Sequence, residues 1–95
     1  MDVRFEWDRR KAASNLRKHG VSFDEALTVF KDPLARIFDD EDHSMREIRE
    51  IIIGNSVKQR LLVISFVSRE DAVRLVNARK ATRRERDDYE KNVKS

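Results

Sequence analysis

The first residues of the chain alternate between apolar and charged side chains. Residues 3–7 read Val-Arg-Phe-Glu-Trp. This alternation predicts a half-buried strand whose inward side chains are Val3, Phe5 and Trp7.

The pattern then changes to a helical period. Asp8 is placed to cap a helix, because its carboxylate can accept hydrogen bonds from the free N–H groups of the first turn. Ala12, Leu16 and His19 follow at helical spacing on the face predicted to be buried. Gly20 is expected to end this helix.

A second helix is predicted directly afterwards. Ser22 and Glu25 have the spacing of a capping box, S-x-x-E. Asp32 precedes Pro33, and the residue before a proline is disfavoured in helical geometry, so the helix ends there. The apolar residues on its buried face are Phe23, Ala26, Leu27 and Phe30.

Four further strands are predicted over residues 34–38, 48–53, 61–67 and 72–78. An acidic loop over residues 39–42 follows the first of them, and Gly54-Asn55 is expected to open a turn after the second. Residues 61–67 are apolar on both faces, which predicts a central strand covered on both sides.

The last element is a predicted helix with little apolar surface. Thr82 and Glu85 form another capping box, so this helix should begin at Arg83. Its apolar residues are Tyr89 and Val93. A short helix that buries so little needs an external contact or a partner to hold it.

The order of elements predicts one α+β domain over residues 1–95. We expect an antiparallel sheet with two N-terminal helices packed on one face and a short C-terminal helix. The chain has no cysteine and no long apolar run, and it has two histidines far apart in sequence. We therefore expect a cytoplasmic protein with no membrane partner, no metal and no cofactor.

Charge is distributed unevenly along the chain. Residues 1–20 carry a net charge of +3, residues 21–59 of −4, and residues 60–95 of +4. Five cations lie between Arg79 and Arg86, where a strand runs into the start of a helix. Side-chain cations beside free backbone N–H groups predict a phosphate site, and nucleic acid is the natural polyphosphate partner. The alternative is an ordinary solvated surface.

This residue set is compatible with two kinds of activity. RNA carries its own nucleophile, the 2′-OH, so cations and one acid or base can cleave it without a metal. The same cations could also only bind phosphates. His19 could simply satisfy the last carbonyls of its helix, Tyr89 could only anchor the last helix, and Arg60 could be exposed at a strand edge.

Several ordered motifs along the chain follow the pattern of one protein family. The N-terminal part reads Phe-Glu-Trp-Asp, then Lys11, Asn15 and Lys-His-Gly-Val-Ser-Phe, and it resembles the signature F-E-W-D-x-x-K-x-x-x-N-x-x-K-H-G-x-x-F-x-x-A of the BrnT toxins. The later motifs of the family follow in the same order: Asp-Pro, Asp-His-Ser, Arg-Glu, Ile-Gly, Arg-Leu-Leu-Val and Asn-Ala-Arg-Lys-Ala-Thr-Arg-Arg-Glu-Arg. The similarity covers nearly the whole chain.

The resemblance implies a type II toxin–antitoxin toxin with a RelE-like ribonuclease fold. Such a toxin cuts RNA and halts translation. Its cognate antitoxin, of BrnA type, neutralises it and contacts operator DNA, and two toxins typically assemble with an antitoxin dimer. A non-catalytic nucleic-acid-binding module and a purely protein-binding subunit are the competing interpretations.

The resemblance also implies site residues. RelE-like enzymes differ widely in their catalytic residues, so the general base stays open. The implied catalytic residues are Arg79, Arg83, His19, Lys80, Arg60 and Tyr89, and the residues expected to bind RNA are Lys11, Arg84 and Arg86.

Overall fold

A computed structural model describes residues 3–40 and 48–94, without the side chain of residue 94. The predicted acidic loop from residue 41 onward, and the Asp-His-Ser and Arg-Glu motifs, lie outside the described residues. The elements in chain order are β1 (Arg4–Glu6), α1 (Arg9–His19), α2 (Phe23–Val29), β2 (Arg36–Asp39), β3 (Arg49–Asn55), β4 (Leu61–Ser68), β5 (Ala72–Lys80) and α3 (Arg83–Lys94).

The five strands form one mixed sheet in the order β1-β5-β4-β3-β2. The pairs β2–β3, β3–β4 and β4–β5 are antiparallel, whereas β1 runs parallel to β5. The expected α+β class is confirmed, but the expectation of a purely antiparallel sheet is wrong. Among the described residues, two helices and three strands lie between β1 and β5, so no hairpin dictates their relative direction.

Several predicted strand boundaries are also wrong. β1 covers Arg4–Glu6 and not residues 3–7, and β5 continues to Lys80 and does not end at residue 78. The strand expected over residues 34–38 is β2, which begins at Arg36 and ends at Asp39. Gly54 and Asn55 lie inside β3, and the turn comes later, where Gln59 adopts a φ of 60°. Gly54 is fixed by close approach, because a Cβ there would lie 2.9 Å from the Cβ of Ala35.

The predicted start of α1 and of α2 is confirmed by capping contacts, whereas the predicted end of α2 at Asp32 is wrong. The α-helix stops at Val29, because the next three N–H groups donate to carbonyls only three residues back, as in tighter turns. Asp8 Oδ1 accepts from the N–H of Lys11 at 3.0 Å, and Ser22 Oγ accepts from the N–H of Glu25 at 3.0 Å. Gly20 ends α1 with a φ of 68°. Glycine adopts this left-handed conformation without steric cost, which explains why α1 stops there.

The sheet is covered on both faces, as predicted for β4. One cluster packs Phe23, Ala26 and Val29 of α2 against Leu62 and Ile64 of β4. The second cluster contains Ile53, Leu61, Val63 and Tyr89, so α3 contributes to the opposite face. Alternate residues of β4 therefore enter different cores.

The side-chain predictions for β1 and α1 hold only in part. Phe5 and Trp7 pack against the first cluster, but Val3 is exposed. Leu16 is also exposed, whereas the buried residue of α1 is Asn15. Within residues 3–40 and 48–94, no helix is long and apolar enough to cross a membrane.

Candidate functional site

One end of the sheet gathers several of the predicted site residues. The N–H of Ala81, at the junction of β5 and α3, donates to the carbonyl of Leu61 at 2.9 Å. Arg60 precedes Leu61, and its Nη2 donates to the carbonyl of Gly20 at 3.1 Å. The end of α1, Arg60 and the start of α3 therefore lie at the same end of the sheet.

Asn15 fixes α1 against β5 with its side-chain amide. Its Nδ2 donates to the carbonyls of Ala78 at 2.7 Å and Val21 at 2.9 Å, and its Oδ1 accepts from the N–H of Ala78 at 3.0 Å. The amide thus pairs with both backbone groups of Ala78, as a neighbouring strand would. β1 pairs only with residues 72–74 of β5, so Asn15 serves the part of that edge beyond β1.

The position of Asn15 brings Lys11 and His19 to the same edge of β5. The three residues are spaced four apart, so they share one face of α1. Lys11, Lys18 and His19 line a shallow surface depression whose other wall is Val76 and Asn77 of β5; Ser14 and Asn15 complete its lining. Sequence reasoning had left Lys18 out of the site, although it lies in the Lys-His-Gly motif.

Arg79 has one of its two bidentate donor edges occupied by a carboxylate. Its Nη1 and Nη2 donate to Oε1 and Oε2 of Glu85 at 2.7 and 2.9 Å. This bidentate pairing lowers the pKa of Glu85 to about 2 and raises the pKa of Arg79. Both side chains are ionised at neutral pH and largely neutralise each other. Sequence reasoning identified Glu85 only as a cap.

Glu85 also caps the start of α3. Its Oε1 accepts from the N–H of Thr82 at 2.8 Å, and Thr82 Oγ1 accepts from the N–H of Glu85 at 3.2 Å. The predicted capping box is confirmed, and it holds the carboxylate that Arg79 contacts. Nη1 of Arg79 also reaches the carbonyl of Lys80 at 3.3 Å. Among the described residues, Nε and the second Nη2 hydrogen of Arg79 have no acceptor.

Arg60 is likewise held by a carboxylate. Its Nε donates to Oε2 of Glu25 at 2.9 Å, and its Nη2 contacts Oε1 of the same group. The expectation that Arg60 is merely exposed at a strand edge is wrong. Hydrogen bonding from Arg60 holds the pKa of Glu25 below its ordinary value, with a further contribution from Ser56, whose Oγ donates to Oε2 at 2.7 Å.

Glu25 also corrects the second capping box. Ser22 caps α2, but the Glu25 carboxylate contacts Arg60 and Ser56. The S-x-x-E spacing predicted the start of the helix but not the partner of the carboxylate. An Arg60–Glu25 pairing carried no signal in the sequence, because 34 residues separate the two positions.

Tyr89 matches the anchor interpretation. Tyr89 is only 7% exposed, and its hydroxyl donates to the carbonyl of Leu34 at 3.2 Å. Burial raises the pKa of its phenol. Tyr89 thereby attaches α3 to the segment before β2.

The remaining predicted cations lie on the surface. Arg79 and Lys80 are successive strand residues, so their side chains leave opposite faces of the sheet. The exposed cations at the junction of β5 and α3 are Lys80, Arg83, Arg84 and Arg86, and Lys11 and Lys18 are exposed on α1. Over residues 3–40 and 48–94, none of these six side chains has a carboxylate partner within ion-pair distance.

The comparisons with known proteins identify the family. The family described as "Ribonuclease toxin, BrnT, of type II toxin-antitoxin system" matches residues 7–85. The chain belongs to the BrnT family. This match covers the depression on α1, the Arg60–Glu25 pair and the start of α3, so the resemblance noted in the sequence is confirmed.

A solved BrnT structure shares the fold. The Brucella abortus ribonuclease toxin BrnT, known from a crystal structure at 1.1 Å resolution, aligns with a TM-score of 0.66 at 20% identity. The alignment covers 85% of this chain and 99% of the Brucella chain. No curated protein sequence matches this BrnT-family chain significantly.

Proposed function

We propose that this chain is a metal-independent endoribonuclease of RelE-like type that inhibits translation in the cytoplasm. One observation carries the proposal: exposed cations without carboxylate partners lie on both sides of the second half of β5. Lys11 and Lys18 approach it from α1, Lys80 ends β5, and Arg83 and Arg84 follow at the start of α3. Family membership supplies ribonuclease activity as the expected chemistry.

The start of α3 supports an anionic ligand. Cations in the first turn of a helix are disfavoured by the helix dipole, yet Arg83 and Arg84 both lie there. Glu85 offsets only part of this charge, because Arg79 already neutralises it. A bound phosphate would be stabilised by the two arginines and by the dipole together.

Cleavage requires an attacking 2′-OH, charge stabilisation and two proton transfers. The cations described above can stabilise the extra negative charge of the transition state. His19 lines the depression on α1 beside Lys11 and Lys18, where an imidazole can donate or accept a proton. Attack of the 2′-OH on the adjacent phosphorus displaces the 5′-oxygen and leaves a 2′,3′-cyclic phosphate.

We assign Arg60 and Arg79 different parts from those expected. Arg60 holds Glu25, and Arg79 holds Glu85 through its Nη1 and Nη2 edge, so only the edge formed by Nε and Nη2 of Arg79 remains for a phosphate. Arg79 can still use Nε and the remaining Nη2 hydrogen for one phosphate. Tyr89 acts as an anchor in this proposal, since its hydroxyl is bound to Leu34.

The held arginines also favour a second candidate function. A surface that binds RNA without cleaving it needs exposed cations but no free fork for the transition state. In that case the chain would be a nucleic-acid-binding module. The two functions differ in whether RNA incubated with the purified chain is cut.

The partner belongs to the same proposal. A type II family implies an antitoxin. We propose that an antitoxin of BrnA type neutralises the chain in an assembly of two toxins and two antitoxins, and that operator DNA is contacted only through the antitoxin.

Induced expression with and without the neighbouring antitoxin gene tests the proposed function. We expect growth arrest and fragmented total RNA without the antitoxin, and neither with it. Lys11→Ala should weaken both effects, because Lys11 lines the depression. Arg10→Ala is the matched control, an adjacent exposed cation of α1 that does not line it. Equal effects of the two variants would move the site away from this depression.

A further inference from the structure

The outer edge of β2 ends the sheet. In the order β1-β5-β4-β3-β2, β2 has β3 as its neighbour, and the described residues place no strand on its other side. All four of its residues are exposed. Such an edge presents backbone N–H and C=O groups to any extended segment of suitable sequence.

The register identifies which groups point outward. The N–H of Asp40 donates to the carbonyl of Arg49 at 2.8 Å, and Phe38 pairs with Ile51 two residues away. Hydrogen-bonding direction alternates along a strand, so Phe38 turns its backbone groups toward β3. The N–H and C=O groups of Ile37 and Asp39 therefore point away from the sheet.

The side chains of this edge are apolar at its centre. Ile37 and Phe38 are 56% and 54% exposed and lie on opposite faces. Protected edge strands usually carry charges at such positions, so two large apolar neighbours indicate a surface that is covered in function.

A groove lies beside Phe38 on the α3 side. It has a volume of about 300 Å³. Phe38, Ile51, Ile53, Val63 and Tyr89 form its apolar walls. The polar lining residues are Arg36, Arg79, Glu85, Asp88 and Asn92, so the groove runs from the β2 edge to the Arg79–Glu85 pair.

The charges on the face of β2 opposite the groove indicate which kind of molecule binds at this edge. Asp39 lies directly opposite Glu50 of β3. Like charges at opposed positions of a sheet repel each other, and a cation from a partner would relieve this repulsion. The two carboxylates disfavour RNA. The groove itself carries two arginines and two carboxylates among its lining residues, so it does not attract a polyanion either.

A second copy of this chain fits poorly. In a two-fold antiparallel pairing of two β2 strands, the residues whose backbone groups point outward lie opposite each other, and such residues alternate along the strand. The residue opposite Asp39 would therefore be Ile37, Ala35 or Asp39 itself, and none of them is a cation.

We propose that an extended segment of the antitoxin adds to the outer edge of β2, with one apolar side chain in the groove and one basic side chain beside Asp39 and Glu50. This inference rests on the proposed function for the identity of the partner. The recognition is β-strand addition: backbone groups of Ile37 and Asp39 supply hydrogen bonds, and the groove supplies specificity. The occupant would reach the Arg79–Glu85 pair and block RNA from that side.

Residue-resolved amide hydrogen exchange, on the free chain and on its complex with the antitoxin from the neighbouring gene, tests the pairing. The amides of Ile37 and Asp39 should exchange at least about tenfold more slowly in the complex. The amide of Phe38, already bound to β3, should change much less. Unchanged exchange at Ile37 and Asp39 in a complex that forms would overturn the proposal.

Two substitutions at one position separate backbone pairing from charge. Asp39→Pro removes the outward N–H and the carboxylate, and proline is tolerated where a strand edge faces solvent. Asp39→Ala removes the carboxylate alone. We expect Asp39→Ala to weaken antitoxin binding about two- to fivefold, and Asp39→Pro to weaken it about tenfold further. Equal affinities of both variants and the unchanged chain would refute strand addition.

RNA binding and oligomeric state distinguish the rival occupants. Asp39→Pro and Phe38→Ala should leave RNA cleavage by the free chain intact while weakening antitoxin binding, with folding checked by circular dichroism. Weakened RNA binding with unchanged antitoxin affinity would make the groove an RNA surface. A free-chain dimer that Asp39→Pro dissociates would make it a self-association edge. Either result overturns the proposal, whereas absence of RNA cleavage by the unchanged chain counts against the proposed function alone.

Discussion

Replacing Arg60 by alanine should destabilise the chain, and the size of the loss follows from its partner. The side chain of Glu25 is 2% exposed and that of Arg60 is 29% exposed. Removing one partner of a buried ion pair leaves the other charge uncompensated, at a cost of about 3–5 kcal/mol. Lys58 Nζ lies 4.0 Å from Glu25, and Ser56 still donates to it, so both reduce the cost. We expect Arg60→Ala to lower the free energy of unfolding by roughly 2–3 kcal/mol at pH 7.

The loss should depend on pH in a defined direction. The pKa of Glu25 in the folded chain lies below its ordinary value of 4.5. A depressed carboxyl pKa contributes stability above the unfolded pKa, and this contribution disappears as the pH falls through the folded pKa. The difference between Arg60→Ala and the unchanged chain should therefore be largest above about pH 5 and shrink below about pH 4.

Urea unfolding, followed by the fluorescence of the single tryptophan, measures this difference. Trp7 packs edge-on against Phe23 with ring centroids 5.8 Å apart, so its emission should report loss of the first cluster. Arg84→Ala is the matched control, because it removes an exposed arginine with no carboxylate partner among the described residues, and it should change stability by less than about 0.5 kcal/mol. A stability loss for Arg60→Ala as small as that of the control, or one that does not shrink in acid, would refute the structural role of Arg60.

Four further outcomes are expected. Asn15→Ala should cost roughly 3 kcal/mol of unfolding free energy in chemical denaturation, because it leaves buried backbone groups of Ala78 and Val21 without partners; a loss below about 1 kcal/mol would contradict this. Glu85→Gln should reduce the stability that the unchanged chain loses as pH falls from about 4.5 toward 2 in pH-dependent melting, because the contribution of Glu85 is removed while that of Glu25 remains; identical pH profiles would contradict the pairing. Arg79→Ala should remove growth arrest. Circular dichroism should still show a folded chain, because about a third of each ion-pair side chain is exposed and the pair adds at most about 1 kcal/mol to the free energy of unfolding. Persisting growth arrest would move the site elsewhere. The amides of residues 83–93 should exchange faster than those of β4 in the free chain and slow down with the antitoxin, and equal protection in both states would refute the weak attachment of α3.

Local signals in the sequence predicted most helix boundaries. Asp8, Gly20, Ser22 and Thr82 each adopt the capping role expected from their positions. Such contacts join residues three or four apart, so both partners can be recognised within one short segment of the sequence. The direction of β1 was missed because it depends on a pairing with β5 about 70 residues away.

The site was predicted in its composition but not in its pairings. Arg60 and Arg79 were recognised as important cations, yet each is held by a glutamate that the spacing marked only as a helix cap. The hydrophobic pattern did not predict that Asn15, and not Leu16, would be the buried residue of α1. A polar residue is buried there because β5 offers two unpaired backbone groups at that edge.

These structural roles sharpen the candidate site. Asn15 joins α1 to β5, and Asp32 ties the segment after α2 to β3 by accepting from Asn55 at 2.7 Å. Once those motif positions are explained by folding, the remaining ones are mostly exposed cations and one half-buried histidine. The residues left for RNA are Lys11, Lys18, His19, Lys80, Arg83, Arg84 and Arg86, together with the unoccupied edge of Arg79.

The chemistry of the cut RNA ends tests the central claim most directly. A defined RNA is incubated with the purified chain in EDTA, and the termini of the fragments are identified by mass spectrometry. Attack by the RNA's own 2′-OH predicts 2′,3′-cyclic phosphate or 3′-phosphate ends, 5′-hydroxyl ends, and a rate unaffected by EDTA. Fragments with 3′-hydroxyl ends, cleavage abolished by EDTA, or RNA that is bound but left intact would contradict the account.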